Sequence, residues 1–108
     1  MKKMILMTIA FALGASAAES VENGKKLYAR VGCYECHGRQ GQGGSAGPRL
    51  APRPIPLQVL VMYVRHPAGA MPPYTSKLVS DAQLADIRAF LNSIPAPTPA
   101  KDIPILNQ

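Results

Sequence analysis

Hydrophobic positions along the chain fall into a few short periodic stretches separated by long aperiodic ones. In residues 20–31, Val21, Leu27, Tyr28 and Val31 share one side of a predicted helix, and Gly24 interrupts it. A glycine there costs about 1 kcal/mol against alanine, a cost best explained by another backbone passing close by. Leu57, Leu60, Val61 and Val64 follow the i, i+3, i+4, i+7 rule and predict a second helix over 57–65. Pro56 suits its first turn, and His66-Pro67 ends it, because a residue before proline is pushed out of the helical region. Ser80-Asp81-Ala82-Gln83 reads as a capping box ahead of a third stripe, Leu84, Ile87, Phe90, Leu91 and Ile94, which Pro95 closes. Residues 38–54 form a Gly-, Pro- and Arg-rich loop without periodicity, and no segment alternates with the period of a strand. The pattern predicts an all-α fold of three to four short helices joined by long loops.

Two terminal segments stand apart. Met1, Lys2 and Lys3 precede an apolar run from Met4 to Gly14, and Ala15-Ser16-Ala17-Ala18 supplies the small residues of a cleavage site. Residues 1–18 are expected to be a Sec-type export signal, cut after Ala17 or Ala18, rather than a membrane span. Residues 19–94 then form one domain, and 95–108 a proline-rich tail ending in Ile103, Ile105 and Leu106, for which packing on its own domain is expected slightly ahead of docking on a partner. Without the signal the chain keeps ten basic and six acidic side chains, a net charge of +4. No basic cluster interleaves with aromatics, so nucleic acid is not an expected partner.

Composition sharpens the question of what fills the core. The chain has 108 residues, four Tyr, two Phe and no Trp, while Gly and Pro together account for 20 positions. Multi-domain enzymes are excluded by length, and the scarcity of large side chains implies that something besides polypeptide completes the interior.

The chemistry lies in Cys33-Tyr34-Glu35-Cys36-His37. Two cysteines three apart followed at once by histidine are what covalent haem attachment requires: two thioethers along one porphyrin edge and an imidazole beneath the ring. The competing readings are a thioredoxin-like redox pair, which wants a βαβ context the pattern lacks, a zinc site, and a plain disulfide that leaves His37 without a purpose. Residues 41–46 also match a dinucleotide-binding string, but they follow no strand and open no helix. For a second axial ligand the chain offers Met62, His66, Met71 and Lys77. Met71 is the leading candidate, since the proline-stiffened loop around it can hold a thioether free of helical constraints; His66 is the next.

These elements resemble the class I c-type cytochromes, the small monohaem family. The resemblance runs over about residues 21–94 and rests on Cys33-X-X-Cys36-His37, Gly47-Pro48-Arg49-Leu50, Met71-Pro72 and the closing amphipathic helix. It implies one covalent haem c with Cys33 and Cys36 as thioethers and His37 and Met71 as axial ligands. It further implies that the first and last helices cross, bringing Gly24 and Tyr28 against Phe90 and Leu91. The Pro48 carbonyl is expected to accept from His37, Leu50 to cover the ring, and Tyr74 to join the pocket; Tyr74, Arg49, Arg53 and Arg65 are candidates to contact the propionates. The implied function is single-electron transfer in the periplasm, from a dehydrogenase-type donor to an oxidase or another cytochrome, with no integral membrane span after signal cleavage. The alternatives are a fixed cytochrome subunit of a dehydrogenase, and a haem enzyme or gas sensor with an open sixth site.

Overall fold

The computed structural model describes residues 18–108, so the export-signal reading of 1–18 lies almost wholly outside the described residues. Four helices occupy Val21–Arg30 (α1), Cys33–His37 (α2), Leu57–Arg65 (α3) and Asp81–Ser93 (α4), and no strand occurs among the described residues. The all-helical expectation holds. The helix not foreseen is α2: the cysteine motif itself forms a helical turn.

Capping chemistry accounts for two of the boundaries. Ser20 caps α1 by accepting from the Asn23 amide at 3.1 Å. At α4 the capping box is complete, with Ser80 Oγ accepting from the Gln83 amide and Gln83 Oε1 accepting from the Ser80 amide. The abrupt break between α1 and α2 uses Gly32, whose φ of +84° lies in the left-handed region that side chains with a Cβ disfavour.

The frame is the crossing of α1 over α4. Gly24 is buried there, and a Cβ added to it would land on the backbone carbonyl of Asp86. The close approach read from the helical glycine is therefore real, although Gly24 meets Asp86 and Ile87, one turn before Phe90. Tyr28 meets Phe90, with ring centroids 5.4 Å apart and planes tilted by 58°. Asp86 also fastens the start of α1, accepting from the Ser20 amide at 2.8 Å and from the Asn23 side chain at 2.7 Å. Those two donors, the amide first, hold its carboxyl below the usual value of 3.8.

Beyond α4 the chain leaves the domain. Short 3-10 turns at Ala100–Asp102 and Pro104–Leu106 are joined by the Asn107 side-chain amide, which lies within 3.1 Å of the carbonyls of Ala100, Lys101 and Ile103. Ile105 is 74% exposed and Leu106 63%, so the tail folds on itself and not, as expected, over the helices.

Gly24→Ala should be clearly destabilising. Its gain in helix propensity, about 1 kcal/mol, is outweighed by overpacking against a backbone that cannot yield, typically ~1–3 kcal/mol or more. The expected result is a lower melting temperature of the haem-loaded protein by circular dichroism, and an unchanged or raised one would contradict the crossing.

Candidate functional site

One turn of helix organises the cysteine motif. Residues three and four apart fall on the same helical face, so α2 presents Cys33, Cys36 and His37 to one side while Tyr34 and Glu35 point to solvent. That side faces a cavity of about 510 Å³ enclosed by α1, α2, α3, α4 and the two long loops. Leu60 and Val64 of α3 and Leu84, Ile87 and Leu91 of α4 supply much of its wall. Val59 and Tyr63 join them, and their half-exposed state is that of cavity lining rather than of outer surface. The stripe on α3 is thus broader than the four positions its periodicity identifies.

Cys33, Cys36, His37, Pro48, Leu50, Met71 and Tyr74 all line this cavity. The two cysteines are free, Cys36 exposed and Cys33 partly buried, and burial pushes the Cys33 thiol up to about 11. His37 is a buried polar side chain, 8% exposed. Its Nδ1 is 2.8 Å from the Pro48 carbonyl, so Nδ1–H donates there and the Nε2 lone pair is left available. Loop 38–54 is folded back to make that contact, held by the Gly43 amide on the His37 carbonyl at 2.8 Å and the Leu50 amide on the Gly41 carbonyl at 2.7 Å. Tyr28, raised to about 12 by burial first and Cys33 second, donates to the Gly38 carbonyl at 2.8 Å and closes the floor.

The other candidate ligands lie elsewhere. Met62 is 67% exposed and, with His66, faces a separate surface groove beside Arg65 and Asp81. Lys77 is exposed on the loop before α4. Among the described candidates only Met71 brings a side chain to the cavity that holds His37. Because His66 is outside it, the chain's two cysteines and two histidines, the set a four-ligand zinc site would need, do not gather. Among the described residues no group of three or more His, Cys, Asp or Glu is placed to hold a metal ion by itself.

Two expectations change in detail. Arg49 and Arg53 line the cavity, whereas Arg65 does not. Arg65 donates from Nη1 to the Tyr74 carbonyl at 2.9 Å and pairs through Nη2 with Asp81 at 2.6 Å, so its guanidinium is committed to protein partners. Tyr74 lines the cavity with its ring, but its hydroxyl donates to the Val31 carbonyl at 3.0 Å. Neither role has a signal in the sequence, since both depend on pairing across 9 to 43 positions of chain.

A flat apolar group with two attachment points on one edge and an iron needing an imidazole fits this arrangement: an apolar chamber, two thiols one helical turn apart, and a histidine with its tautomer fixed. The chain belongs to the class I c-type cytochromes and carries covalently bound haem c. The family model that matches it, described as "Cytochrome C oxidase, cbb3-type, subunit III", spans residues 19–91. The chain is also 34% identical over 87 residues, 80% of its own length and 74% of the other, to the 4-cresol dehydrogenase (hydroxylating) cytochrome c subunit of Pseudomonas putida. No solved structure matches it. Among the described residues no helix is long and apolar enough to cross a membrane.

The cavity predicts a dependence of folding on haem. Without the group that fills it, the mostly apolar lining of this 510 Å³ chamber is left facing water, and a small domain has little stability with which to offset that. The chain produced in cells lacking cytochrome maturation should show little helical circular dichroism and no cooperative melt. A sharp melting transition in that haem-free chain would contradict the point.

Proposed function

We propose that this chain is an exported carrier that passes single electrons in the periplasm from a dehydrogenase-type donor to a respiratory acceptor, an oxidase or another cytochrome. In this reading Cys33 and Cys36 hold the haem through thioethers, His37 and Met71 are the axial ligands of its iron, and Pro48, Leu50 and Tyr74 complete the pocket. The observation that carries it is the presence of both cysteines, His37 and Met71 on one cavity, while Met62, His66 and Lys77 stay outside.

Haem held here would supply a one-electron iron couple, and ligation by the Met71 thioether together with the His37 imidazole would favour its reduced state. The chain's own side chains do the rest. The Pro48 carbonyl holds the Nδ1 proton of His37, fixing the ring and raising the basicity of its other nitrogen. Leu60, Val64, Leu84 and Leu91 keep water from the pocket, which limits solvent rearrangement when the charge changes. With Met71 as a ligand no position is left for a substrate, and that argues against a haem enzyme or gas sensor. Cys36, exposed at the cavity's edge, gives a redox partner a short route to the attached group. Small polar interfaces of the sort such partners use release quickly.

A second reading has specific support. The Pseudomonas putida relative is by name the cytochrome subunit of a dehydrogenase, and the self-folded tail here exposes Ile105 and Leu106. Both fit a chain that remains bound to a dehydrogenase as its electron-transfer subunit. The redox chemistry is the same in either case; only the lifetime of the complex differs.

The ligand assignment is tested by Met71→Ala. The variant should lose the weak near-infrared band of methionine-ligated ferric haem, bind carbon monoxide rapidly when reduced, and show a lower reduction potential. If His66→Ala produces those changes and Met71→Ala produces none, the assignment is wrong.

A further inference from the structure

Met71 sits in a segment with few attachments. Between the end of α3 and Tyr74, residues 67–73 take no part in the backbone hydrogen bonds described for turns and loops. Tyr74 is the first fixed point after Met71, and it is fixed three times over. Its amide donates to the Val64 carbonyl at 3.0 Å, its carbonyl accepts from Arg65 at 2.9 Å, and its hydroxyl donates to the Val31 carbonyl at 3.0 Å. These bonds tie one residue to the last turn of α3 and to the end of α1. Arg65 then extends the tie to a third helix through Asp81, the first residue of α4.

We propose that Arg65 and Tyr74 are positioning residues that keep Met71 in place as a ligand, with Asp81 anchoring the guanidinium. The inference rests on the reading of Met71 as the axial thioether. Arg65 is suited to the task because its side chain is only 16% exposed, so its bond to the Tyr74 carbonyl is partly shielded from water, while its planar fork reaches the exposed Asp81 carboxylate at the same time. A lysine offers a single ammonium at that place and cannot span both with the same geometry. Neither residue needs to touch the iron. They act by making the loop's departure expensive, so that the sixth position seldom opens.

The test uses the ferric haem-loaded protein with imidazole as the competing ligand, since imidazole enters only when Met71 leaves. Loosening a charge-assisted hydrogen bond should increase the open population, so Arg65→Ala should raise apparent imidazole affinity by roughly tenfold or more. Tyr74→Phe keeps the ring and removes one neutral bond, for a gain of about threefold to tenfold. Arg65→Lys should fall between wild type and Arg65→Ala, and Lys77→Ala, at an exposed loop position outside the clamp, should match wild type. Wild-type imidazole affinity in both Arg65→Ala and Tyr74→Phe overturns the inference, even if their melting temperatures fall. An equal gain in Lys77→Ala overturns it as well. Should Arg65→Ala fail to yield haem-loaded protein, Tyr74→Phe decides alone. Met71→Ala separates the two levels of argument. If it binds imidazole no better than wild type, the ligand reading itself fails. If it binds much better while the clamp variants do not, only the clamp is refuted.

Discussion

The structure depends on an apolar chamber that its own side chains do not fill. Four short helices of 10, 5, 9 and 13 residues are too small to make a protein interior by themselves, and the chain has no tryptophan and two phenylalanines to offer. What they make instead is a shell. Leu60 and Val64 from one side, and Leu84, Ile87 and Leu91 from another, surround a space that haem would fill. The close contact of α1 with α4, Gly24 on the Asp86 backbone with Tyr28 on Phe90 beside it, lies next to this chamber. Burial of a large rigid apolar ring then does for this fold what aromatic side chains do in others.

The position of the attachment motif follows from the same economy. A five-residue helix is below the length at which helices are stable alone. Here it is held at both ends, by Gly32 turning the chain out of α1 and by Tyr28 gripping the Gly38 carbonyl. That turn sets two thiols and an imidazole on one face, so a rigid local element and not a loop defines the geometry of attachment. The Met71 segment is the reverse case, an irregular stretch whose fixity is borrowed from three helices through Tyr74 and Arg65.

What could be read from the amino-acid order alone divides along physical lines. Periodicity, the capping box and the stop at Pro95 located α1, α3 and α4 to within a residue or so, because those signals are local. Gly24 exposed the helix crossing through its cost, although the exact partner, Asp86, needed the fold. The grouping of Cys33, Cys36, His37, Pro48, Leu50, Met71 and Tyr74 was legible because the motif carries its chemistry in its spacing and the resemblance supplied the distant members. The clamp at Arg65 was not: an arginine at a helix end looks like any solvated charge until its acceptors, nine and sixteen positions away, come into view. The tail was misjudged for a related reason. Ile105 and Leu106 look like core in sequence, and only the self-contained turns capped by Asn107 show that nothing in the domain receives them.

The central claim is that two sulfurs of this chain are covalently joined to one haem, and the most direct measurement is a pyridine haemochrome spectrum of the protein purified from cells competent in cytochrome maturation. The account predicts a red protein whose reduced pyridine complex has the absorption of a haem attached through both vinyl positions, in one-to-one ratio with the chain and with no titratable thiol. A colourless product, or one that surrenders its haem to acidified organic solvent and leaves Cys33 and Cys36 free, would contradict it.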